Sequence, residues 1–126
     1  MASSILVVDD DPLIRKTLQL YLELAGHRVR LAGNGREAVA ALSEAIPDVV
    51  ILDIFMPEMD GFETLRQIRQ PVGKARILAI SGGGSREHGH FLSMAAKLGA
   101  DGVLKKPFTA SRLMSAVETL LGHWDC

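Results

Sequence analysis

Four apolar residues in a row, Val49-Val50-Ile51-Leu52, end abruptly in one carboxylate, Asp53, and a loop containing Pro57, Asp60 and Gly61 follows. A short apolar run without alternation reads as a strand buried on both faces, as in a parallel sheet covered by helices. That feature constrains the chain most. Parallel strands need crossover connections, and ligands of such sheets gather just outside the carboxyl ends of the strands. Asp53 stands at one of those ends. Taken alone it reads first as a turn-forming aspartate, so the rest of the chain has to decide its role.

Ile5 to Val8 is a second apolar run, and it too stops at acid, Asp9-Asp10-Asp11, before Pro12. Asp11 as N-cap and Pro12 at the first helical position predict a helix. Ile14, Leu18, Tyr21, Leu22 and Ala25 fall on its inner face, Arg15, Lys16, Gln19 and Glu23 on its outer face, and Gly26 is its stop. Arg28-Val29-Arg30-Leu31-Ala32 alternates, as an edge strand with one wet face does. After Gly33-Asn34-Gly35, a second helix turns Ala38, Leu42 and Ala45 inward, and a third, from about Gly61, does the same with Phe62, Leu65 and Ile68. Ile77 to Ile80 is a fourth strand ending at Ser81, followed by the turn Gly82-Gly83-Gly84-Ser85 and a helix carrying Phe91, Ala95 and Leu98. Val103-Leu104 is the short core of a fifth strand that ends at Lys105-Lys106-Pro107, and Thr109 caps a last helix with Leu113, Val117, Leu120 and Leu121. Five strands alternating with five helices predict one domain over 1–126, a doubly wound, flavodoxin-like α/β fold with a parallel sheet ordered 2-1-3-4-5.

Composition narrows the function. A net charge of −1 argues against a nucleic-acid-binding surface. The apolar runs fall far short of a membrane span of roughly 20 residues, and the start, Met-Ala-Ser-Ser-Ile, lacks the layout of a signal peptide. Cys126 is the only cysteine, so no internal disulfide forms, and a cytoplasmic protein is the simplest account. His27, His88, His90 and His123 show no ligand spacing with one another or with acids.

Parallel strands bring their carboxyl ends to one side. There the order 2-1-3-4-5 assembles Asp9 and Asp10 from the first strand, Asp53 from the third, Ser81 from the fourth and Lys106 from the fifth. Each has a plainer reading: Asp11 as a helix cap, Ser81 as a turn residue, Lys105 as a surface lysine. Convergence from four segments favours chemistry. Carboxylates crowded together repel unless neutralised, and a few of them with water suit Mg²⁺. An ionised Asp53 beside Mg²⁺ is a competent nucleophile toward phosphorus. Lys106 and the cation stabilise the transferring oxygens, and Ser81 is placed to hydrogen-bond one of them. The glycines 82–84 lack the Lys-Ser/Thr ending of a P-loop.

Leu-Val-Val-Asp-Asp-Asp-Pro (6–12), Asp-Ile-Phe-Met-Pro-Glu-Met-Asp-Gly (53–61), Ile-Ser-Gly (80–82) and Lys-Pro-Phe (106–108) resemble the motifs of the receiver domain of two-component response regulators, here of the stand-alone type. The resemblance implies Asp53 as phosphoacceptor and Asp9, Asp10, Asp53 and the backbone carbonyl of Phe55 as Mg²⁺ ligands. It further implies Ser81 as switch hydroxyl, Lys106 as the family's lysine, and a cis Lys106-Pro107 peptide. It implies a phosphorelay module, not an enzyme beyond its own phosphorylation and dephosphorylation. Its partners would be a sensor histidine kinase or histidine phosphotransfer protein and a downstream protein target met by contact. Nucleic acid and membrane insertion are not expected, and a phosphorylation-dependent dimer is compatible with it. Two positions depart from the family: Val103 stands where an aromatic is usual, and Phe55 is bulky two residues after the phosphoacceptor. The alternatives are an aspartate-nucleophile phosphatase of haloacid dehalogenase type, which lacks its Thr at Leu13, a flavodoxin-like nucleotide binder, which three carboxylates would repel, and a phosphorylation-independent docking module.

Overall fold

The central strand, β1 (Ser4–Val8), has no exposed residue after its first, because both of its edges and both of its faces are covered. In the computed structural model, which describes residues 3–56, 59–69, 75–81, 93, 97 and 99–122, β1 pairs in parallel with β2 (Arg28–Ala32) on one side and β3 (Val49–Asp53) on the other. A two-residue ribbon follows, β4 (Phe55–Met56) against β5 (Met59–Asp60). The sheet continues with β6 (Arg76–Ser81) beside β3 and β7 (Gly102–Lys105) beside β6. The order β2-β1-β3-β6-β7, all parallel, is the expected 2-1-3-4-5 once the ribbon is set apart. Four helices lie among the described residues: α1 (Pro12–Leu24), α2 (Gly35–Glu44), α3 (Gly61–Arg69) and α4 (Ala110–Leu121). The further helix expected to carry Phe91, Ala95 and Leu98, the Gly82–Ser85 turn and the side chain of Phe62 lie outside what is described.

The absence of alternation in the central strands has a direct cause. Leu6, Val8, Val50, Leu52, Ile77 and Ala79 pack on one face with Ala38 and Leu42 of α2 and Leu65 and Ile68 of α3. Ile5, Val7, Val49, Ile51, Leu78 and Ile80 pack on the other with Leu18 and Leu22 of α1 and Leu113 and Val117 of α4. Successive side chains therefore enter different cores, and each fully buried one contributes about 1.5–3 kcal/mol.

The helix ends follow from local chemistry. Asp11 accepts the Leu13 N–H at 2.9 Å, Asn34 the Glu37 N–H at 2.8 Å and Thr109 the Arg112 N–H at 3.1 Å, each removing one orphan donor. Gly26 (φ 97°) and Gly122 (φ 78°) close α1 and α4 in the left-handed region, where a side chain would be strained. Arg30 of the edge strand reaches the last carbonyls of α2, donating to Ala41 at 2.9 Å and Ala45 at 2.7 Å. Three inward assignments fail. Tyr21 is 38 % exposed, and Ala25 and Ala45 are exposed at helix ends, where the helical period no longer applies. Val103, placed in a strand core from sequence, is 42 % exposed because β7 is an edge strand whose burial alternates.

Candidate functional site

Strand register determines what meets at the carboxyl edge. Val8 pairs with Leu52, Asp53 with Ile80, and Ser81 with Lys105, so Asp9, Asp53, Ser81 and Lys106 all leave the sheet at one level. The backbone extends this register: Ile54 N–H donates to Ile80 O at 2.8 Å and Lys106 N–H to Ser81 O at 2.8 Å. The Lys106-Pro107 peptide at the end of β7 is cis, as the resemblance implies.

Lys106 Nζ lies 3.1 Å from Asp53 Oδ2 and 3.7 Å from Asp9 Oδ2. One ammonium is thus shared between two carboxylates that are almost wholly buried, Asp9 at 1 % and Asp53 at 5 % exposure. Asp9 Oδ1 accepts the Asp11 N–H at 2.9 Å, which leaves Oδ2 turned toward Asp53 and Lys106 and buried without a hydrogen-bond donor among the described residues. The Asp9 carboxyl is pushed up to about 6, chiefly by burial. The Asp11 N–H opposes the rise, the facing Asp53 carboxylate adds to it, and Lys106 opposes it. Ser81 is fully buried, and its Oγ has no hydrogen-bond partner among the described residues. Two acidic groups with one cation between them and two unpartnered oxygens form a cradle that is incomplete by itself. A hard divalent cation is the kind of group that would complete it.

Mg²⁺ fits this donor set, since it takes one or two carboxylates, keeps several waters and leaves room for a phosphoryl oxygen. Among the described residues no three His, Cys, Asp or Glu side chains cluster to hold a metal. Asp9 and Asp53 are the pair the fold brings together; Asp10, next in the chain, is half-buried and joins no such group. The Phe55 backbone follows Asp53 by two residues and pairs with Asp60 in the ribbon. One residue that sequence reasoning assigned to the outer face of α1 belongs here: Arg15 Nη1 donates to the Asp9 carbonyl at 2.7 Å.

The model of the response regulator receiver domain matches residues 5–118. The chain is a response regulator receiver domain. Such domains are signalling modules of two-component phosphorelays. Similar curated proteins include the response regulator MprA of Mycolicibacterium vanbaalenii, 37 % identical over 96 % of this chain and 51 % of its own length. MprA of Mycobacterium tuberculosis is 36 % identical over the same shares. The chain therefore spans about half the length of the curated relatives it matches. Among solved structures, NtrX of Brucella abortus in complex with ADP superposes with a TM-score of 0.89 at 34 % identity, covering 98 % of this chain and 28 % of that one. A CheY-like receiver domain protein of Methanospirillum hungatei gives 0.85 at 26 % identity, covering 98 % and 96 %. No helix among the described residues is long and apolar enough to cross a membrane.

Proposed function

We propose that this receiver domain takes a phosphoryl group onto Asp53 from a phosphohistidine of a sensor kinase or a histidine phosphotransfer protein. The observation that carries the reading is the ammonium of Lys106 held 3.1 Å from Asp53 Oδ2 and 3.7 Å from the buried Asp9 Oδ2. An Asp53 oxygen attacks phosphorus, the P–N bond breaks, and its electron pair leaves with the imidazole, which takes up a proton. The product is an aspartyl phosphate. Lys106 orients the nucleophile and then faces the phosphoryl oxygens, where a fixed positive charge is most effective in a site of low dielectric. When bound through Asp9 and Asp53, with Asp10 and the Phe55 carbonyl completing its protein ligands, Mg²⁺ supplies neutralising charge for those same oxygens. Ser81 Oγ, buried and unpartnered among the described residues, donates to one of them. That new bond biases a pre-existing conformational equilibrium and so changes affinity for a downstream protein. Val103, exposed on β7, offers that switch an aliphatic surface where the family usually has an aromatic ring.

Incubation with Mg²⁺ and an acyl-phosphate donor should give one phosphoryl adduct, stable in acid and labile in base, located by mass spectrometry at Asp53. Asp53→Asn should abolish it. An undiminished adduct in that variant would overturn the reading, an adduct on Asp9 would favour the phosphatase alternative, and no adduct at all would leave a docking module.

A further inference from the structure

Arg15 stands at the start of α1. It lies in the first turn of α1, where its backbone N–H makes the opening helical bond to Asp11 O at 3.0 Å and where the positive end of the helix dipole disfavours a cation. The N-cap Asp11, with Asp9 and Asp10 before it, supplies negative charge that offsets this. The guanidinium is anchored on the main chain of Asp9, whose carbonyl accepts from Nη1 at 2.7 Å. Asp9 is thereby tied at three points. Its N–H donates to Ala32 O at 3.1 Å, its carbonyl accepts from Arg15, and its Oδ1 accepts from the Asp11 N–H at 2.9 Å. The only Asp9 oxygen left over is Oδ2, and it faces Lys106.

The neighbouring loop is shaped to admit the guanidinium. Gly33 follows β2, and a Cβ built on it would stand 3.1 Å from Arg15 Nη1 and 3.3 Å from Glu37 Oε1, tighter than side chains tolerate without displacement. Glu37 in turn fixes that loop by accepting the Gly33 N–H at 2.6 Å. The guanidinium held on the Asp9 carbonyl thus lies close against the loop that follows β2.

We infer that Arg15 is a positioning residue of the cation site: by holding the Asp9 main chain it keeps Oδ2 directed at the Asp53–Lys106 side, and so sets the affinity for Mg²⁺. This rests on the cation-binding reading of the acidic pair given above. Geometry and charge pull in opposite directions here, which makes the inference sharp. A cation near a metal site weakens metal binding by repulsion, so loss of Arg15 through charge alone would tighten Mg²⁺. Loss of a group that orients a ligand weakens it, typically by 10-fold or more.

Mg²⁺ is titrated calorimetrically into the metal-free chain at alkaline pH, with the melting temperature of every variant recorded in parallel. Arg15→Met is expected to raise the Mg²⁺ Kd by about tenfold, and Arg15→Lys, which keeps a donor, to recover part of the loss. Gly33→Ala leaves the charge unchanged and displaces the guanidinium tip, and is expected to weaken Mg²⁺ in the same direction by a smaller factor. It also keeps the inference testable should Arg15→Met fail to fold. A folded Arg15→Met that binds Mg²⁺ as tightly as the parent, or tighter, overturns the inference, whether or not its melting temperature has fallen. A parent chain that binds no Mg²⁺ overturns the cation reading beneath it, which the calorimeter reports separately.

Discussion

The two ends of the sheet handle charge in opposite ways. At the amino end, Arg69 of α3 donates to Gly99 O at 2.7 Å, to Ala75 O at 3.1 Å and to Asp101 Oδ2 at 3.1 Å, and the same Asp101 oxygen accepts the Ile77 N–H at 2.8 Å. Asp48 Oδ2 accepts the Ser4 N–H at 2.8 Å; the exception at this end is the buried His27, 3.3 Å from Glu118, whose ring nitrogens have no hydrogen-bond partner among the described residues. At the carboxyl end, one lysine is divided between two buried carboxylates, and Asp9 Oδ2 and Ser81 Oγ lack partners among the described residues. Charges that are matched hold elements together. Two buried carboxylates that share one ammonium leave net negative charge at the carboxyl end, which on the proposed reading an incoming cation would satisfy. The contrast predicts opposite signs for removing a charge at either end.

The largest effect is expected at the amino end. Arg69→Ala removes the three hydrogen bonds just named and takes the counter-ion from a partly buried Asp101 side chain, so the chain should lose about 3 kcal/mol and its melting temperature should fall by roughly 10 °C. A loss below about 1 kcal/mol by urea denaturation would mean that this end is held by packing alone. Asp9→Asn should move the other way in metal-free buffer. Because the folded-state carboxyl titrates at about 6 against an ordinary 3.8, the folded chain binds the proton more tightly than the unfolded one. The parent therefore loses stability as pH rises from about 4 to about 6. The variant, which carries no such proton, should match the parent below pH 4 and exceed it by about 2–3 kcal/mol above pH 6. Excess Mg²⁺ should raise the melting temperature of the parent and leave that of the variant nearly unmoved. A variant less stable than the parent at neutral pH would erase the contrast between the two ends.

How much of this could be read in the chain differs by residue. Val49 to Leu52 and Ile5 to Val8 announced fully buried strands because nothing alternates there, and each proves to serve two cores. Arg28 to Ala32 announced an edge for the converse reason. Strand order then brought Asp9, Asp53, Ser81 and Lys106 together without any knowledge of distances. What stayed hidden depended on length and direction of side chains. Periodicity placed Arg15 on the outer face of α1 and stopped there, although side chains on a helix lean toward its N-terminus and an arginine is long enough to reach the loop before it. The ribbon pairing Phe55 with Asp60 was also missed, since two residues a side carry no period to read. Tyr21 and Val103 failed because periodicity and an apolar character do not say where a covering element ends.

Ser81→Ala is expected to show the smallest effect on stability and is the most discriminating of the set. A fully buried hydroxyl with a satisfied hydrogen bond costs about 1–3 kcal/mol to remove when its partner is left behind. Ser81 Oγ has no partner among the described residues, so its removal leaves none behind, and the methyl that remains fills nearly the same space. The unphosphorylated variant should therefore match the parent within about 0.5 kcal/mol in urea denaturation. The Asp53 adduct should still form in it. The change in partner affinity on phosphorylation should shrink, since the donor for a phosphoryl oxygen is gone. A destabilisation above about 1 kcal/mol would mark Ser81 as a structural hydroxyl, and the contrast at the carboxyl end would then rest on the two carboxylates that share Lys106.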